Sequence, residues 1–228
     1  MSTLCITGWT SGLGESIVRH YIANDRKVIV LARNEKKLES LKSELRINFE
    51  YYVCDISNKN QLQNTFKEII DIDCLINNSG IWYWETVYEE SLDHIEDTIM
   101  TNLIGAIRCT RLALPIMMKQ KNGIIINIGS IQATRWRIWA STYGASKAWL
   151  KMYSDILREE IKKENIKVIS IHPWKIETPM RDDDELVEFK NRMLQPDQVT
   201  KIVYESCIQA MQWVVQEEIY IKPQWIIK

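Results

Sequence analysis

The chain has 228 residues, 26% of them charged and 46% hydrophobic, with a formal net charge of -1. These values fit one globular domain with a sizeable core, spanning the whole chain. Lys and Arg are spread along the sequence, which argues against a nucleic-acid surface, since such surfaces gather positive charge on one face. No apolar run approaches the ~20 residues that span a bilayer, and a strand begins almost at the first residue, leaving no room for a signal peptide.

In chain order, short β-branched runs alternate with longer amphipathic segments. Strands are expected at 3–7, 27–32, 48–53, 73–77, 123–129, 166–172 and 218–222. Helices are expected at 13–24, 35–45, 58–70, 91–119, 142–163 and 196–211. Runs such as Ile124-Ile125-Ile126 are apolar on consecutive residues, as in a parallel sheet buried on both faces. The alternation predicts an α/β, Rossmann-like fold: a doubly wound parallel sheet of about seven strands, flanked by helices as a three-layer sandwich. Ligands of such sheets bind beyond the carboxyl ends of the strands. The stretch 174–194 has no clear period and reads as a long loop or lid, with the acidic run 182–185 as a solvated part of it. The five cysteines form no CxxC pair and no metal-ligand spacing with His. They read as buried thiols of a reducing compartment, so a cytoplasmic protein without a metal is expected.

The first strand-to-helix junction reads Thr7-Gly8-Trp9-Thr10-Ser11-Gly12-Leu13-Gly14. Glycines there permit a sharp turn and close approach to a pyrophosphate, which the helix N-terminus meets with N–H groups and partial positive charge. The spacing is GxxxGxG, not GxGxxG. Tyr143 and Lys147 lie four residues apart in a helical segment, on one face. A tyrosine hydroxyl ionises near ~10, and an adjacent ammonium favours its phenolate, which is how a tyrosine comes to serve as a general acid/base. Ser130 ends the fifth strand, at the edge where ligands of such sheets bind. His20 and His94 read as surface or capping residues, and His172 is given no catalytic role.

These features together resemble the short-chain dehydrogenase/reductase family, and the resemblance runs along nearly the whole chain. TGxxxGxG begins it. Asp55-Ile56-Ser57 resembles the segment carrying the family's adenine-contacting acid. Asn77-Asn78-Ser79-Gly80 resembles NNAG, with Ser for Ala. Asn102 falls where the family keeps a structural and catalytic asparagine, and Tyr143-Gly144-Ala145-Ser146-Lys147 matches YxxxK. Thr178 follows Pro173 as in PGxxxT.

The resemblance implies carbonyl/alcohol oxidoreduction on a small-molecule substrate with a nicotinamide cofactor. Tyr143 is the implied acid/base, and Lys147 tunes it and binds the nicotinamide ribose. Ser130 polarises the substrate oxygen, and the Asn102 carbonyl holds a relay water. Cofactor contacts are expected from Gly8, Thr10, Ser11, Gly12, Leu13, Gly14, Arg33, Asp55, Ile56, Asn77, Ser79, Gly80, Tyr143, Lys147, Pro173, Ile176 and Thr178. The second strand ends on Ala32-Arg33 instead of an acid, so NADP(H) is expected over NAD(H), with Arg33 meeting the 2′-phosphate. A homodimer or homotetramer is implied through helices bearing Ile104, Ile107, Leu112, Trp149 and Met152.

The sequence departs from the family at Trp174, where glycine usually follows the proline, and in lacking a glycine-rich tail. Among nine tryptophans, Trp82, Trp84, Trp136, Trp139 and Trp174 border segments that line the family's substrate clefts. Trp82, Trp136, Trp139 and Trp174 are expected at the substrate, either stacking a ring or a sugar face or packing a lid or subunit interface. Arg135 and Arg137 accompany them. Two other functions share the fold. A nucleotide-sugar epimerase or dehydratase also uses YxxxK, but with a different glycine turn and a larger C-terminal region. A non-catalytic NADP(H)-binding regulator usually lacks the Tyr or the Lys.

Overall fold

The computed structural model describes residues 2–9, 11–45, 48–180, 189 and 192–224. Thr10 and the acidic run 182–185 lie outside them.

Seven strands, β1 (Thr3–Thr7), β2 (Lys27–Ala32), β3 (Phe49–Val53), β4 (Cys74–Asn77), β5 (Gly123–Ile128), β6 (Ile166–Pro173) and β7 (Glu218–Ile221), form one sheet in the order β3-β2-β1-β4-β5-β6-β7. Every neighbouring pair is parallel. The helices are α1 (Gly12–Ala23), α2 (Glu35–Leu45), α3 (Lys59–Glu68), α4 (Leu92–Ile99), α5 (Ala106–Gln120), α6 (Ser141–Ile161) and α7 (Pro196–Met211).

The consecutive apolar runs have a direct structural cause. In β1, Leu4 and Ile6 face the layer of α1, α2 and α7, while Cys5 faces the layer of α3, α5 and α6. In β5, Ile124, Ile126 and Ile128 fill the first layer and Ile125 the second. With a period of two, β1, β2, β4, β5 and β6 each feed both layers and have no solvent side.

The helix expected over 91–119 is not uniform. Ser91 caps α4 by accepting the His94 N–H at 3.1 Å, and Met100–Gly105 then form a π-helical segment before α5 begins. Asn102 sits inside that segment, where the wider i→i+5 pitch re-aims one turn of side chains.

The strand order reverses between β1 and β4. Their carboxyl ends are tied together by the Thr7 hydroxyl, which accepts the N–H groups of Asn78 and Ser79, each at 3.2 Å. A crevice at such a switch point is where doubly wound sheets take ligands. Among the described residues, no helix is long and apolar enough to cross a membrane.

Candidate active site

Each glycine of the first turn is required for a different reason. Gly8 has φ +68, and a Cβ there would lie 2.6 Å from the Ser79 hydroxyl oxygen and 2.8 Å from the Ser79 Cα. Gly12 has φ +62 and would meet Thr178 at 2.6 Å. A Cβ on Gly14 would drive into the Gly8 carbonyl. The turn is therefore pressed against the β4 end and the segment after β6 at its glycines, where no side chain fits. Ser11 stands at the N-cap of α1 and makes no side-chain cap bond, so it does not spend the first-turn N–H groups on itself.

Two clefts open along the carboxyl edge and meet at Gly8, Ser79 and Gly80. The outer one, about 700 Å3, is bounded by Arg33, Asn34, Asp55 and Ile56. Arg33 is exposed and lies 3.8 Å from the Asp55 carboxylate. The other oxygen of that carboxylate accepts the Ser57 N–H at 2.9 Å and its hydroxyl at 2.7 Å. The β2 end carries Ala32 and Arg33, so no acid faces this cleft from that strand.

The inner cleft, about 180 Å3, is lined by Ser130, Tyr143, Lys147, Pro173, Trp174, Ile176, Thr178 and Met180. Lys147 is 3% exposed, and its Nζ donates to the Ile128 carbonyl at 2.9 Å. Burial lowers its pKa from the ordinary 10.5 to about 8. The same Nζ lies 5.8 Å from the Tyr143 ring centroid. Ser130, two residues past the end of β5, is nearly buried, and its hydroxyl accepts the Gln132 N–H at 3.2 Å. Asn102 is fully buried. Its Oδ1 accepts the Ile81 N–H at 2.8 Å, while Nδ2 donates to the Ile81 carbonyl at 2.9 Å and to Ser146 Oγ at 3.1 Å. That bond pair clamps the chain just past Gly80. An added Cβ at Gly80 would sit 3.5 Å from both Asn102 Oδ1 and Lys147 Nζ, so glycine keeps the approach to the lysine open.

Most of the sequence-predicted residues therefore border the two joined clefts: Gly8, Ser11, Leu13, Gly14, Arg33, Asp55, Ile56, Ser79, Gly80, Ser130, Tyr143, Lys147, Pro173, Trp174, Ile176 and Thr178. Gly12 supports the turn, and Asn102 stands behind Gly80. Asn77 is turned away. Its Nδ2 donates to Thr110 Oγ1 at 3.0 Å and to Asn127 Oδ1 at 2.8 Å, deep between the sheet and α5. Asn78 lines the cleft instead, as strand alternation requires of the next residue. Met180 was also missed; it follows the PxxxxT segment with no motif of its own.

Trp82, Trp136 and Trp139 are not among the residues that line the inner cleft. Trp82 is buried and stacks on Tyr143 at 4.7 Å and 13°, and on Trp84 at 3.8 Å and 21°. Trp136 is 92% exposed, and Trp139 is half exposed with φ +60.

Comparison with known proteins gives concordant findings. The family model described as short chain dehydrogenase matches residues 2–187. Carbonyl reductase family member 4 of Xenopus laevis is 35% identical over 188 residues, covering 80% of this chain and 79% of that protein. The NADP-dependent 3-hydroxy acid dehydrogenase YdfG of Salmonella typhi is 32% identical, covering 87% of this chain and 86% of that protein. The closed form of serine dehydrogenase complexed with NADP+ superposes with a TM-score of 0.90 at 28% identity, covering 97% of this chain and 94% of that one.

Proposed function

Since the chain belongs to the short-chain dehydrogenase family of oxidoreductases, we propose that it interconverts a carbonyl and a secondary alcohol with NADP(H), using Tyr143 as the general acid/base. The observation that carries this reading is the continuity of the two clefts. Ser130, Tyr143 and Lys147 line one, Arg33 and Asp55 line the other, and Gly8, Ser79 and Gly80 belong to both.

The residues present fit a dinucleotide. The glycine turn is packed too closely for a Cβ at Gly8 or Gly14, and it opens on the N-terminus of α1, a seat for a pyrophosphate. Arg33, with Asn34 and Lys36 beside it, supplies donors and positive charge for a 2′-phosphate. NADP(H) is the preferred cofactor on this ground, and relatives named as NADP-dependent or solved with NADP+ support the same preference. Asp55 and Ile56 would border the adenine, and Pro173, Ile176 and Thr178 the nicotinamide end. When bound, the cofactor supplies or accepts the hydride.

The chain's own groups handle the rest. Tyr143 gives the substrate oxygen its proton in reduction and takes it back in oxidation. Lys147 holds positive charge near the Tyr143 ring and, beside the bare Gly80, reaches the ribose hydroxyls. The Ser130 hydroxyl donates to the substrate oxygen as negative charge develops there. Asn102 secures Ile81 and, through Ser146, the Tyr143 turn, since Ser146 Oγ donates to the Tyr143 carbonyl at 2.7 Å. Its main-chain carbonyl, in a π-helical turn, would hold the relay water.

We also propose a single domain that forms a homodimer or homotetramer through α5 and α6, where Trp149, Met152 and Ile156 are exposed along one side of α6. All five cysteines are free and buried, which supports a reducing, cytoplasmic setting.

NADPH consumption with a panel of ketones, aldehydes, keto acids and quinones, with Tyr143→Phe as control, tests the reading. Turnover that the variant reduces by ~10²–10⁴ supports it, and unchanged turnover in the variant would reject Tyr143 as acid/base.

A further inference from the structure

The aromatic cluster over Tyr143 bears on what can enter the site. Trp82 has both faces covered, one by Tyr143 and the other by Trp84. Its indole N–H donates to the Trp139 carbonyl at 2.8 Å. Trp139 holds φ +60, a left-handed conformation that costs a bulky residue energy and persists only where the surroundings impose it. Trp84 donates its own N–H to the Met180 carbonyl at 3.1 Å, and Met180 belongs to the facing wall of the inner cleft. The Arg137 guanidinium lies 5.5 Å from the Trp82 ring and 5.2 Å from the Trp84 ring, within cation–π range of both. Segments following β4, β5 and β6 are thus bolted into one wall.

From this we infer that Trp82, clamped between Tyr143 and Trp84, is a specificity-determining residue that restricts the site to small carbonyl compounds. The inference rests on the oxidoreductase reading and adds the substrate's size class.

Two consequences of the geometry carry it. First, a substrate ring cannot stack on Trp82, because no indole face is left for it. Second, the whole inner cleft, from the glycine turn to Tyr143, measures about 180 Å3, whereas sites for drug-sized ligands span ~300–1,000 Å3, and the nicotinamide must share this space. What remains beside Ser130 and Tyr143 suits a short-chain ketone, aldehyde or keto acid better than an aryl ketone, a quinone or a keto-sugar. Trp84 and its bond to Met180 stop the wall from swinging outward.

The test is kcat/KM for NADPH-dependent reduction of a short aliphatic carbonyl compound and of an aryl ketone. It is run on the wild type, Trp82→Ala, Trp82→Phe and Trp84→Ala, with NADPH affinity and circular dichroism checking each variant's integrity. The wild type is expected to favour the short compound by at least ~10-fold. Trp82→Ala should cut that ratio by ~10-fold or more, with Trp84→Ala moving it the same way and Trp82→Phe retaining it. If Trp82→Ala misfolds, Trp84→Ala alone decides. Equal efficiency on both compounds in the wild type, or an unchanged ratio in the variants, would overturn the wall while leaving the oxidoreductase reading in place. NADPH binding with no reduction of any carbonyl compound by any form would overturn that reading and this inference with it.

Discussion

The Lys147 ammonium donates to the Ile128 main-chain carbonyl at 2.9 Å from a position that is 3% exposed. Among the described residues no carboxylate pairs with it, and burial brings its pKa from 10.5 to about 8. The unfolded chain keeps this proton up to about pH 10.5, the folded chain only up to about 8. Burying the charge therefore costs stability below about pH 8, and the wild type regains it as pH rises through the window from 8 to 10.5. The full penalty amounts to about 3 kcal/mol, offset by roughly 1 kcal/mol for the hydrogen bond to Ile128. Lys147→Met is expected to be the more stable protein at pH 7 while losing turnover. Urea denaturation across pH 7 to 10.5 checks this: the advantage should shrink with rising pH, and a constant gap would mean that the lysine is not titrating in the fold.

On the proposed reading, Arg33 is expected to set the choice of cofactor without serving the fold. Its side chain is 67% exposed and, among the described residues, its one ion pair, with Asp55, spans 3.8 Å. Such a pair contributes little to stability. Arg33→Ala is expected to leave the melting temperature nearly unchanged and to lower kcat/KM for NADPH by roughly 10–100-fold, the worth of a charge-assisted contact to phosphate. Efficiency with NADH should barely move. A parallel loss with both cofactors would place the arginine at a part of the cofactor common to both.

Asn102→Ala tests the clamp behind Gly80. The substitution strips partners from both the N–H and the carbonyl of Ile81 and removes a donor from Ser146. Buried groups left unpaired cost roughly 1–3 kcal/mol each, so a total loss of about 2–4 kcal/mol is expected, read by chemical denaturation. Because the clamp fixes the segment following Asn78, Ser79 and Gly80, NADPH affinity should fall together with kcat. Loss of stability with cofactor affinity intact would confine Asn102 to the fold.

How much of this was legible in the sequence differs by residue. The sheet was, because apolar runs such as Ile124–Ile126 fill two layers at once and no other arrangement buries them. The glycine turn was legible too, since Gly8, Gly12 and Gly14 each answer a steric demand that any other side chain fails. The π-helical turn around Asn102 was not: an apolar stripe does not distinguish an i→i+5 turn from an i→i+4 one over six residues. The motif marks the strand end and so points to Asn77 as a cofactor residue, yet alternation sends its side chain inward and Asn78 outward. The tryptophans show the limit most clearly. Their positions in sequence indicate that they crowd the substrate end, but only three-dimensional contacts reveal that Trp82 stacks on Trp84 and on Tyr143.

His172, passed over in the sequence, lies directly behind Ser130. Its Nδ1 is 3.2 Å from the Ser130 carbonyl, its ring stacks on Tyr220 at 4.8 Å, and it fills the space a Cβ on Gly129 would need. Nε2 is 3.3 Å from Glu218, whose carboxylate is also 2.8 Å from Lys151, but it is not aligned for a hydrogen bond. Burial lowers the histidine's pKa below 6.5; Lys151 and Lys147 add to that, and Glu218 and the Ser130 carbonyl oppose it. The ring is thus neutral at pH 7, donating from Nδ1 to Ser130. Between the folded pKa and 6.5 the unfolded chain binds the extra proton, so the wild type loses stability as pH falls below about 6.5. His172→Gln keeps a donor without this titration. Denaturation midpoints compared from pH 7.5 to 5.5 should converge on acidification. Divergence in favour of the wild type would mean that His172 is charged in the fold and paired with Glu218, and would make the link between β7 and the candidate catalytic serine an ion pair instead of a neutral contact.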